Sequence, residues 1–137
     1  MSAWNRPDAL KMTYIDNSTG AGLDYIEYTP NVLFYLTGLS QVPQIMTNQY
    51  VPGAVADHLT SAAGFLFGGT QMSALRWLEA GASASYGTVT EPCNYTQKFP
   101  AASILVKNYF AGGTVLESYW KSVYEPGEGL FVGDPLA

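Results

Sequence analysis

Between Pro52 and Cys93 a strand-like apolar run, a glycine-rich loop, an amphipathic helix pattern and a second strand-like run follow one another in order. That order limits the topologies open to the chain. A strand–helix–strand unit is a right-handed crossover by default, and it makes its two strands parallel. The only histidine, His58, follows the first of these runs, and the only cysteine, Cys93, follows the second. Parallel neighbours would release both residues at the carboxyl edge of the sheet, where open α/β sheets hold ligands.

The flanking chain supplies the rest of the sheet. Asn31–Thr37 reads NVLFYLT, continuously apolar rather than alternating, as expected of a strand covered on both faces. Gly38 ends it. The following LSQVPQIMTNQYVP has two prolines and no helical period, so it predicts an irregular crossing at the sheet edge. Gly53–Asp57 and Ser83–Val89 are the next two strands, and Pro92 stops the ladder after the latter. Gln71–Ala80 predicts a helix with Thr70 as N-cap and with Met72, Leu75, Leu78 and Ala82 facing the core.

Pro100–Ala111 predicts a second helix, opened by proline in its first turn and closed by Gly112-Gly113. Val115–Tyr124 predicts a third, because Thr114 and Glu117 form a capping box. Its expected apolar face is Val115, Leu116, Tyr119, Trp120 and Val123, with Glu117 and Lys121 paired one turn apart. Trp77 and Trp120 read as packing residues. Gly129–Val132 is a last short strand before the turn former Asp134. Residues 1–30 are polar and glycine-punctuated, and 31–137 form a single domain. The expected fold class is therefore α/β, a three-layer arrangement of a mainly parallel sheet of about four strands with flanking helices.

Composition narrows the function. The 137-residue chain has a net charge of −5 and only six Lys plus Arg, so no basic stripe can neutralise phosphates and nucleic acid is excluded as a partner. Charged residues make up 12% and hydrophobic ones 47%, which predicts apolar surface that a further segment or partner covers. One cysteine excludes an internal disulfide framework and a Cys-rich zinc site. Cys93 is then a buried thiol, a reactive thiol or half of an intermolecular bridge. No apolar run approaches the roughly 18 residues of a membrane span, and MSAWNRPDALKM has no signal-peptide core. Asp16, Asp24 and Glu27 lack a calcium-loop spacing and read as solvated carboxylates, so no metal and no cofactor is expected.

Two readings of the chemistry remain. In one, Cys93 is a nucleophile whose proton His58 takes, with backbone amides near Asn94 as oxyanion donors and Glu91 as an auxiliary acid or base. Gly38, Asp57, Glu91 and Asn94, at the carboxyl ends of the strands, then meet the substrate. Asp57 is a poor orienting group for His58, because neighbours on a strand point to opposite faces. In the other reading, His58 bonds locally and Cys93 fills a small apolar space.

The strings VLFYLTG, PGAVADHLTS, QMSALRWLEAGASASYGTVTEPCNYTQKFP, ESYWKS and GLFVGDPLA together resemble the carboxyl-terminal region of a family of bacterial, often exported proteins of uncharacterised function. The resemblance implies a chain that begins part-way through a longer parent. More distantly, the GASASYGT strand and the closing GDP are similar to the late part of gingipain-type cysteine peptidases with their caspase-like fold. Aligned on the GDP, Asp57 takes the nucleophile's place and an inactive relative is implied. Aligned on the dyad, His58 and Cys93 take the catalytic places, although Leu59 stands where those peptidases carry glycine. The resemblance thus implies either a thiol hydrolase acting on a peptide or amide, or a non-catalytic scaffold or protein-interaction domain on the same fold.

Overall fold

A computed structural model describes residues 10–89 and 95–137. Its sheet has the spatial order β1 (Val32–Thr37), β2 (Tyr50–His58), β3 (Ala84–Thr88) and β4 (Gly129–Gly133). β1, β2 and β3 are parallel neighbours, and β4 runs antiparallel to β3. The α/β class and the mainly parallel, four-strand sheet therefore agree with the sequence pattern. Among the described residues no helix is long and apolar enough to cross a membrane.

The strands pack on both faces, as their unbroken apolar runs require. One layer holds the crossing after β1, with its 3-10 turn at Ile45–Thr47, and helix α1 (Leu75–Glu79). Val32, Tyr35 and Ala56 of the sheet meet Val42, Ile45, Met72 and Trp77 there. Trp77 is fully buried and its ring packs edge-on to Tyr35, centroids 5.1 Å apart. The other layer holds α2 (Ala102–Phe110) and α3 (Val115–Ser122), where Val55, Ala84 and Tyr86 meet Leu105, Val115, Tyr119 and Val123. Alternation along β1 divides the layers, with Tyr35 on the α1 side and Phe34 and Leu36 on the other.

β2 begins at Tyr50, three residues earlier than its small apolar run. Val32 pairs with Tyr50 but Phe34 pairs with Val55, so β2 bulges between them and takes in Pro52 and Gly53. Gly53 has φ 83°, and a Cβ there would lie 2.3 Å from the Tyr109 hydroxyl, so only glycine fits the bulge.

Helix α1 starts at Leu75, not near Gln71, and Ala74 rather than Thr70 occupies its N-cap position. The preceding residues are used elsewhere: Met72 N–H donates to the Ser40 carbonyl at 2.9 Å and Ala74 N–H to Ala63 at 2.8 Å. Helix propensity loses here to tertiary hydrogen bonds. The Thr114–Glu117 capping box is present, with Glu117 N–H donating to Thr114 Oγ1 at 3.2 Å and Thr114 N–H to Glu117 Oε2 at 3.0 Å. The Glu117 carboxylate thus turns back onto the cap instead of forward to Lys121. Helix α3 is also rotated from its expected face. Its inward line is Val115, Ser118, Tyr119 and Ser122, an i, i+3, i+4, i+7 set centred on Tyr119, and Trp120 lies outside.

The GDP segment closes the fold. A Cβ on Gly133 would lie 2.3 Å from the Ser83 carbonyl, and Asp134 Oδ1 accepts the Leu136 N–H at 2.9 Å. That turn brings the Pro135 and Ala137 carbonyls onto the N–H groups of Leu116 and Val115, at 3.3 and 2.9 Å. Free donors in the first turn of α3 are satisfied in this way.

Candidate functional site

Because β1, β2 and β3 are parallel, Gly38, the Asp57–His58 pair and the segment leading to Cys93 all leave the sheet at one edge. Cys93, Glu91 and Asn94 themselves lie outside the described residues. Gly38 is exposed directly after β1, and a Cβ there would meet nothing within 4 Å. Asp57 and His58 are both buried, and the pleat sends them into opposite layers.

Asp57 points toward α3. Its Oδ1 accepts the Ser85 hydroxyl at 2.8 Å and the Tyr86 N–H at 2.6 Å, and its Oδ2 accepts the Tyr119 hydroxyl at 2.7 Å. One carboxyl group thereby ties β2 to β3 and to α3. Burial pushes its pKa up to about 6, against the three hydrogen bonds that favour the anion. Burial and the adjacent carboxylate likewise raise Tyr119 well above the usual phenol range, so Tyr119 is a permanent donor.

His58 points toward α1. Its Nε2 lies 2.5 Å from the Met72 carbonyl oxygen and its Nδ1 2.7 Å from Thr60 Oγ1. A carbonyl only accepts, so Nε2 carries a proton. The Thr60 hydroxyl donates to Gln71 Oε1 at 2.7 Å, which also accepts the Ala62 N–H at 2.7 Å. Burial lowers the His58 pKa more than the Met72 carbonyl raises it. Both ring nitrogens lie within hydrogen-bond distance of a protein oxygen.

His58, Thr60 and Gln71 close the neck of the glycine-rich loop that joins β2 to α1. The loop backbone also covers the end of β3: Thr88 Oγ1 donates to the Thr60 carbonyl at 2.8 Å and Gly64 N–H to the Thr88 carbonyl at 3.0 Å. A Cβ on Gly87 would fall 2.3 Å from Gly64 N, so two glycines meet backbone to backbone. The strand end that leads toward Cys93 is therefore roofed by residues 60–64.

Beside this edge lies an open cleft of about 760 Å³ lined by Leu59, Thr96, Gln97, Phe99, Pro100, Ala101 and Tyr124. Its floor is fixed by backbone bonds, Tyr124 N–H and Glu125 N–H both donating to the Gln97 carbonyl at 3.1 Å. Gly38, Asp57 and His58 do not line it. Among these described lining residues Tyr124 is the one titratable group, and the others offer apolar and hydrogen-bonding contact. Among the described residues no group of three or more His, Cys, Asp or Glu converges as metal ligands do.

Sequence pattern gave Asp57 no structural role. The signal that pointed to one is a carboxylate ending the buried run GAVAD, since a charge fully out of water must be paired or hydrogen-bonded. Compared with known proteins, the chain matches no protein-family model, no curated protein and no solved structure.

Proposed function

We propose that this chain is a non-catalytic protein-interaction domain on an α/β sheet. The observation that carries the reading is the occupancy of His58, whose Nε2 is bonded to the Met72 carbonyl and whose Nδ1 is covered by Thr60. A general base needs a free nitrogen within hydrogen-bond reach of the proton it takes. Asp57, with both oxygens accepting donors inside the core, is equally closed to a ligand. Meanwhile the surface is rich in uncovered apolar side chains, Phe67 being 86% exposed, Leu136 80% and Tyr124 74%. The gingipain-type resemblance fits this reading when aligned on the GDP, with Asp57 in the nucleophile's place as an inactive relative. With it goes the proposal of a bacterial, exported parent family.

A second reading, a thiol hydrolase using Cys93 and His58, draws support from one observation. β2 and β3 are parallel neighbours, so His58 and the segment toward Cys93 leave the same edge. Alkylation of Cys93 by iodoacetamide separates the two. The interaction reading predicts a rate that follows an ordinary thiol of pKa about 8.5 and changes by less than about two-fold in His58→Gln. Rapid alkylation below about pH 7 that slows ten-fold or so in His58→Gln supports the hydrolase and overturns the proposal.

A further inference from the structure

β1 has the sequence of an interior strand and the position of an edge strand. VLFYLT carries no charge and no proline, the devices by which natural edges repel another chain. It pairs with β2 on one side and ends the sheet on the other. The Leu59 N–H donates to the Thr37 carbonyl at 2.7 Å, which directs the backbone groups of Thr37 and Tyr35 toward β2. Those of Phe34 and Leu36, one residue out of phase, therefore face the open edge. Among the described residues of the approaching segment, the Ile26, Tyr28 and Thr29 N–H groups bond elsewhere, to the Tyr35 hydroxyl, Thr47 and Asn48.

The side chains beside the strand are apolar as well. Phe34 packs against Tyr109 and Phe110, with ring centroids 5.5 and 6.2 Å apart, and Phe110 is 52% exposed. From Tyr28 to Ala56 no residue carries a charge, although the chain as a whole has a net charge of −5. A net charge of −5 sets two copies against each other, and β1 itself places no charge opposite a second β1.

We infer that β1 is the pairing edge for a second copy of this chain, β1 against β1 in antiparallel register about a two-fold axis, so that the two sheets become one. The occupant is a second copy because the edge is self-complementary: an apolar strand whose Phe34 and Leu36 present one donor and one acceptor each, as an isologous contact requires. This inference names a partner for the interaction surface proposed above and rests on that reading.

The test is sedimentation of the wild-type chain from about 10 µM to about 1 mM, with amide exchange followed by NMR at both ends of the range. A reversible dimer is expected, and the Phe34 and Leu36 amides gain protection as concentration rises while those of Tyr35 and Thr37 are protected throughout. Leu36→Pro removes only an outward-facing N–H and should weaken the dimer about ten-fold or more, whereas Leu36→Ala, which keeps that N–H, should retain it. A monomer across the range overturns the inference, and so does a dimer whose concentration-dependent protection falls on β4 or elsewhere. The exchange data decide the matter even if Leu36→Pro fails to fold. A monomer whose Cys93 reacts as an ordinary thiol would remove the self-pairing and leave the interaction reading standing.

Discussion

Asp57 and His58 are neighbours in the chain, yet the sheet sends them into different layers and gives them opposite chemistry. On the α2–α3 side, a carboxyl group is surrounded by three donors and anchors two strands and a helix. On the α1 side, an imidazole bridges a carbonyl and a hydroxyl and closes a loop. The first is a core cross-link between strands and helix. The second holds a connection whose Phe67 stands 86% exposed. The pair shows how adjacent polar residues at one carboxyl edge can each serve a separate layer.

The largest test of this contrast is Asp57→Ala. It strands the Ser85 hydroxyl, the Tyr86 N–H and the Tyr119 hydroxyl in the core, and chemical denaturation should show a loss of about 4 kcal/mol. Asp57→Asn keeps an acceptor for Ser85 and Tyr86 but sets an amide N–H against Tyr119, whose own proton loses its acceptor. At about pH 8 it should recover most of the alanine variant's loss, because the buried charge is gone and two of the three donors keep an acceptor. A loss as large as that of the alanine variant would mean that the charge itself holds the layers together.

The pH dependence differs in sign between the two residues. The Asp57 pKa is raised from 3.8 to about 6, so the folded state binds its proton more tightly. Its contribution is complete below pH 3.8 and is lost as pH rises through about 6, a change of about 3 kcal/mol in all. The His58 pKa is lowered from 6.5, so its contribution is present above 6.5 and is lost as pH falls through the folded value. Denaturation midpoints across this range should lose the Asp57 limb in Asp57→Asn and the His58 limb in His58→Gln. Identical profiles in wild type and both variants would contradict the assignment.

Smaller effects follow. His58→Ala leaves the Met72 carbonyl without its donor and should cost about 2 kcal/mol, with faster proteolysis confined to residues 59–71. Thr114→Ala removes the α3 cap and should cost about 1 kcal/mol, without altering either pH limb.

The strands were legible because each is a short apolar run bounded by glycine, proline or a polar pair, and a buried parallel strand needs little more. α2 and α3 were legible from Pro100 and from the Thr114–Glu117 box. What sequence pattern missed depends on partners far along the chain. α1 begins late because Ser40 and Ala63 take the N–H groups that would have opened it. α3 turns Trp120 outward because Tyr119 must reach Asp57, 62 residues away. The bulge in β2 follows from the register that β1 imposes, which no local pattern of Tyr50–Pro52 records. Of the candidate site, the shared edge was legible from the strand–helix–strand order. The occupancy of His58 was not, since Thr60 and Met72 become its partners only once the loop between them is folded.

On the interaction reading proposed above, His58 is a structural clamp that shares no proton with Cys93. The most direct measurement is the pair of imidazole ¹⁵N shifts of His58 from about pH 5 to about pH 9, before and after Cys93 is alkylated. The predicted result is a neutral ring protonated on Nε2, one transition below 6.5, and no change on alkylation. A transition above 6.5 that moves when Cys93 is blocked would show the two residues sharing a proton and would contradict the account.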